Sequence, residues 1–131
     1  MKFKFLATLT VCLLLARPRW AGEKALVDLV KKADLKAWAD IFSVLKTSTD
    51  PRNNQVVWLV EAQKDVSYPF DLSRHHLARF LDEEDAILSS VTIEFKPALD
   101  FKKGERFRAI LKVPQDRETV QKTKKVVIIR K

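Results

Sequence analysis

The sequence predicts a mainly β protein: an antiparallel two-sheet sandwich of about six or seven strands, preceded by a short helix. Three observations carry that prediction. Apolar and polar residues alternate with a period of two through most of the chain beyond residue 40. Turn formers punctuate those runs at the spacing of antiparallel β proteins. No long helical repeat alternates with the strands, which disfavours a parallel sheet. The 131 residues suit one domain, since separate cores need roughly 100–200 residues each. With 47% hydrophobic and 32% charged residues the chain is rich enough in apolar side chains to fold. One Cys rules out a disulfide scaffold, a Cys-based zinc site and an iron–sulfur cluster.

The elements follow in order. Leu26, Leu29, Val30, Ala33, Ala37 and Trp38 recur at helical spacing within 23–38, so at least a short helix is expected within 23–33. Residues 41–48 are rich in strand formers. Asp50-Pro51-Arg52-Asn53-Asn54 is a turn, because Pro presets φ and Asn tolerates the left-handed region. Residues 55–63 form a near-continuous apolar strand, so the two runs make a hairpin with Trp58 as a candidate core centre. Residues 65–74 read as a loop whose Tyr68, Phe70 and Leu72 are expected to cover the open end of the core. His75 to Leu81 is a third strand, Asp82 to Asp85 a solvated turn, and Ala86 to Leu88 the start of a return. Val91, Ile93 and Phe95 alternate with Thr92, Glu94 and Lys96 in one half-buried strand that Pro97 ends. Phe107, Ala109, Leu111 and Val113 alternate with Arg106, Arg108 and Lys112 in another, ended by Pro114. Residues 115–123 hold about one helical turn, and 124–130 form a last strand.

This pattern is expected to give an immunoglobulin-like sandwich over 40–131, with 22–39 as a leader or short helix. A small β-barrel is the alternative. The stretch His76-Leu77-Ala78-Arg79-Phe80-Leu81-Asp82, running into Glu83-Glu84-Asp85 and Ala86-Ile87-Leu88, resembles small exported bacterial Ig-like domains of the FxLYD type. Asp82 matches that pattern, while Ala78 and Leu81 stand where the family has Phe and Tyr. The resemblance spans 40–113 loosely; it implies a sandwich, no enzyme activity and no particular binding residue.

The N-terminus reads as an address. Lys2 and Lys4 precede a twelve-residue uncharged run, Phe5 to Ala16, and Pro18 precedes Ala21 and Gly22. That is the layout of a secretory signal peptide over 1–21, cleaved near Ala21. Twelve helical residues span about 18 Å, too short to anchor in a hydrocarbon core of ~30 Å. The protein is therefore expected outside the cytoplasm, periplasmic or extracellular. The segment 1–21 holds four basic and no acidic residues, so the net charge of +8 falls by 4 to +4 without it.

Few chemistries have the residues they need. His75 and His76 are the sole histidines, and neighbours on a strand point to opposite faces, so a shared metal is not expected. A metal-handling role of an exported domain through that pair stands as a second alternative. Ser67, Ser73, Ser89 and Ser90 lie in no Gly-flanked nucleophile turn. Asp82 to Asp85 sit in a hairpin turn rather than across a cleft. No catalytic residue, cofactor site or small-molecule substrate is inferred, and the reading is a non-catalytic binding or structural module for a protein or envelope component. The charge asymmetry suggests one alternative, a polyanion site built from Arg106, Arg108, Lys112, Lys122, Lys124, Lys125, Arg130 and Lys131. It requires the strands at 106–113 and 124–130 to share a sheet. No aromatics are interleaved there for base stacking, which argues against nucleic acid.

Overall fold

This structure, a computed structural model, describes residues 24–131. Seven strands form two antiparallel sheets: β1 (Phe42–Asp50), β2 (Gln55–Ala62), β3 (His76–Leu81), β4 (Ile87–Thr92), β5 (Glu94–Lys96), β6 (Arg106–Lys112) and β7 (Lys125–Arg130). One sheet has the order β1-β2-β6-β5 and the other β4-β3-β7. These correspond to the A-B-E-D and C′-C-F orders of the immunoglobulin-like sandwich. The sheets remain separate, so the barrel alternative does not hold. The expected leader segment 1–21 lies outside the described residues.

The β1–β2 hairpin pairs Phe42 with Ala62 and Asp50 with Gln55, and Asn54 takes the left-handed conformation (φ 51) that its turn requires. A bulge between Val44 and Lys46 leaves Leu45 exposed and kinks this edge strand. On β2 burial alternates strictly: Val56, Trp58, Val60 and Ala62 face inward and are buried, while Val57 and Leu59 face outward.

The helix spans 24–31, and its Leu26 and Val30 are buried in the same core as the strands. A 3-10 turn at Lys36–Trp38 then sets Trp38 edge-on to Trp58, with ring centroids 5.4 Å apart at 89°. The described residues 24–39 thus pack into the same core as the strands. Their placement has a physical reason. Asp34 makes a parallel bridge to Val127 at the free edge of β7, and Arg130 pairs with Asp40 at 3.3 Å. The segment covers an edge that would otherwise present unpaired backbone groups.

Two expectations need correction. Residues 91–96 are not one strand: β4 ends at Thr92 in one sheet, and β5 begins at Glu94 in the other. Ile93 lies at the crossing and donates its N–H to His76 O at 2.9 Å. Ile93 and Phe95 both point between the sheets, so the alternation survives the switch. Phe70 does not cover the core. Residues Tyr68–Leu72 form a single π-turn that buries Leu72 and leaves Phe70 80% exposed.

The last helix, α2 (Arg117–Lys122 — the helix over 24–31 being α1), is short and well capped. Asp116 accepts from Thr119 N at 3.0 Å and from Thr119 Oγ1 at 2.7 Å. Those bonds hold the Asp116 carboxyl below its usual range.

Candidate functional site

The paired histidines part company at the start of β3. His76 is fully buried, with its ring 4.9 Å from Phe95, 5.9 Å from Phe42 and 6.0 Å from Trp38. Its Nε2 lies 2.8 Å from Asp71 O. A carbonyl oxygen only accepts, so Nε2 carries the proton and Nδ1 is left bare. Nδ1 is buried without a hydrogen-bond partner. Burial lowers the pKa of this imidazole, against the opposing hydrogen bond to Asp71. His75 is half-buried and sits with Nε2 3.2 Å from Pro69 O. One ring belongs to the core and the other to the loop. Among the described residues no three His, Cys, Asp or Glu side chains gather as a metal would require.

The acidic turn serves its own backbone. Asp82 Oδ1 accepts from Glu84 N at 2.8 Å and from Ala86 N at 3.0 Å.

The expected basic residues divide between layers. Arg106, Arg108 and Lys112 lie on the outward face of β6, in the four-stranded sheet. Lys125 and Arg130 lie on β7, in the opposite sheet, and Lys131 follows β7 directly. Lys122 ends α2, where it pairs with Glu118 at 3.6 Å, and Lys124 follows it. One continuous face does not form, because β7 pairs with β3 and not with β6. A different row does form. Lys46, Leu59, Arg108 and Lys96 are in register across β1, β2, β6 and β5. Half-buried Val57 and Ile110 adjoin them on the same outward face.

The apolar terminal strand resolves along the same lines. Val126 and Ile128 point inward and are buried. Val127 and Ile129 point outward beside Leu77 and Leu81, around Arg79, whose Nε is buried without a partner.

A concavity lies where the 67–74 and 97–100 loops meet at one end of the sandwich, a cleft of about 670 Å³. That volume falls within the roughly 300–1,000 Å³ usual for ligand sites. The two loops are tied together: Tyr68 N donates to Asp100 Oδ1 at 2.8 Å, and Val66 bridges Phe101. Leu77 and Ala98 contribute accessible apolar surface over a floor of buried Leu72, Ile93 and Phe95, and Arg74, Lys96 and Lys131 contribute three cations. Arg74 enters through a left-handed backbone conformation (φ 60) just before β3. Lys131 is brought alongside by its N–H, which donates to His75 O at 2.7 Å. Phe70 and Leu99, 80% and 59% exposed, project from the same two loops. The sequence pattern singles out Lys131. It gives no signal for Arg74 or Lys96, which stand far apart in the chain.

Comparison with known proteins finds no matching family model, no matching curated protein and no matching solved structure. Among the described residues, no helix is long and apolar enough to cross a membrane.

Proposed function

We propose that this protein is an exported, non-catalytic binding module that engages an envelope component through the loop end of its sandwich. One observation carries the reading: the cleft between the 67–74 and 97–100 loops, with three cations inside it and exposed Phe70 and Leu99 beside it. Loops held by a rigid scaffold are where binding residues concentrate. Exposed large apolar side chains at such a site favour contact with another molecule over contact with water. Export rests on the charged start and apolar run of residues 1–21, and the FxLYD-type likeness agrees with both fold and address. Cell fractionation with mass measurement tests this reading. A product shortened at its N-terminus and retained with the envelope supports it, with retention lost in the Phe70→Asp, Leu99→Asp double variant. A full-length cytosolic product overturns it.

A second reading has its own observation, the outward row of Lys46, Arg108 and Lys96 flanked by Arg106 and Lys112. A flat cationic sheet face suits a linear polyanion, with binding strongest at low salt. Retention on heparin at roughly 50 mM salt, lost when Lys46 and Arg108 become Gln, supports it. Free passage through the column removes it.

A further inference from the structure

We infer that the cleft between the two loops is a binding site for the phosphate group of a ligand that also carries an apolar portion. The inference deepens the proposed binding role and rests on it. Arg74, Lys96 and Lys131 line one cavity against a single side-chain carboxylate of the lining, that of Glu94. None of the three is in an ion pair among the described residues; the pairs found there are Lys36–Asp34, Lys122–Glu118 and Arg130–Asp40. The nearby loop acids are turned to the backbone. Asp71 Oδ2 accepts from Ser67 N at 2.7 Å, and Asp100 Oδ1 accepts from Tyr68 N at 2.8 Å. Three like charges around one hollow repel each other, and an anion between them reverses that energy.

The donor set selects the anion. Besides the three cations, Tyr68, Ser73 and Thr92 bring hydroxyls to the lining. A carboxylate has two oxygens to offer such a set, whereas a phosphate monoester has three terminal acceptor oxygens and a charge of up to about −2. The accessible apolar surface of Leu77 and Ala98, laid over buried Leu72, Ile93 and Phe95, has no use for a bare ion and suits a hydrocarbon substituent. Phe70 and Leu99 extend that apolar surface at the loop tips. A phosphatidic acid headgroup and a soluble phosphate monoester share this chemistry.

Amide chemical-shift titration of the domain beginning at residue 22 tests the site, with four probes at about 50 mM salt, where charge-driven binding is strongest. They are inorganic phosphate, soluble dihexanoyl phosphatidic acid, octyl glucoside as an uncharged apolar control, and vesicles containing phosphatidic acid. The expected result is that the first two shift amides within 72–77 and 92–98, the lipid at least tenfold more tightly. Capture by the vesicles then assigns the ligand to a lipid surface, and binding of the soluble probes alone assigns it to a free phosphate ester. The Arg74→Asn, Lys96→Gln, Lys131→Gln variant loses at least tenfold in affinity with its spectrum otherwise unchanged. Asn is chosen at 74 because it tolerates the left-handed backbone. No shifts with either phosphate probe, equal shifts with octyl glucoside, or undiminished binding by the triple variant overturns the assignment. The retention of Phe70 and Leu99 variants in cells reads the broader binding role separately.

Discussion

Arg108 on β6 and Lys96 on β5 stand directly opposite each other, like charge against like charge, on the outward face of the four-stranded sheet. Directly opposed like charges are destabilising, by roughly 0.2–1 kcal/mol in a sheet. Lys96 also lines the cleft, where the proposed anion site would use its charge. On that proposal the arrangement sets a local cost to stability against a gain in binding, as functional sites commonly do.

Lys96→Glu therefore raises stability while weakening anion binding. The expected gain is a few tenths of a kcal/mol, since the pair is exposed and screened. Urea denaturation reads the first effect and phosphate titration the second. Loss of stability in this variant contradicts the account of the opposed pair.

His76 makes stability depend on pH. Burial places its pKa below the ordinary value of 6.5, so the unfolded chain takes up the proton more readily than the folded one. Its contribution is complete above 6.5 and declines as pH falls below that value, levelling once the folded pKa is passed. Urea midpoints at pH 7.5 and pH 5.5 show the decline, and His76→Phe flattens it while preserving aromatic packing against Phe95. An unchanged slope in that variant means that other groups carry the acid sensitivity.

Trp58 is the centre of the core, fully buried and edge-on to Trp38. Trp58→Ala is expected to cost about 3–5 kcal/mol through lost burial and the cavity left behind. Trp58→Phe costs less, because the indole N–H it removes is buried without a hydrogen-bond partner. Chemical denaturation of the two variants gives the comparison, and equal losses contradict this description of the core.

The sequence speaks clearly where structure is local. Pro51 and Asn54 announce the β1–β2 turn, and the alternation around Phe107 and Leu111 announces β6 and its inward face. It is silent where partners are distant. Alternation says which side of a strand is apolar but not which sheet receives it, so Ile93 and Phe95 read as one strand although the chain changes layer between β4 and β5. The same gap hides the separation of β6 from β7, and with it the division of the C-terminal cations. Nor does composition reveal that Arg74 takes a left-handed backbone, a conformation uncommon for residues other than Gly. The cleft draws on residues from Tyr68 to Lys131 and has no contiguous motif.

Site-specific photo-crosslinking in living cells tests the binding role most directly. A photoreactive residue at position 70, on the exposed π-turn, is compared with one at Arg52, in the exposed turn at the opposite end of the sandwich. The account predicts a discrete adduct in the envelope fraction from position 70, diminished by the Arg74→Asn, Lys96→Gln, Lys131→Gln variant, and little from position 52. Equal yields at both positions, or no adduct from position 70, would contradict it.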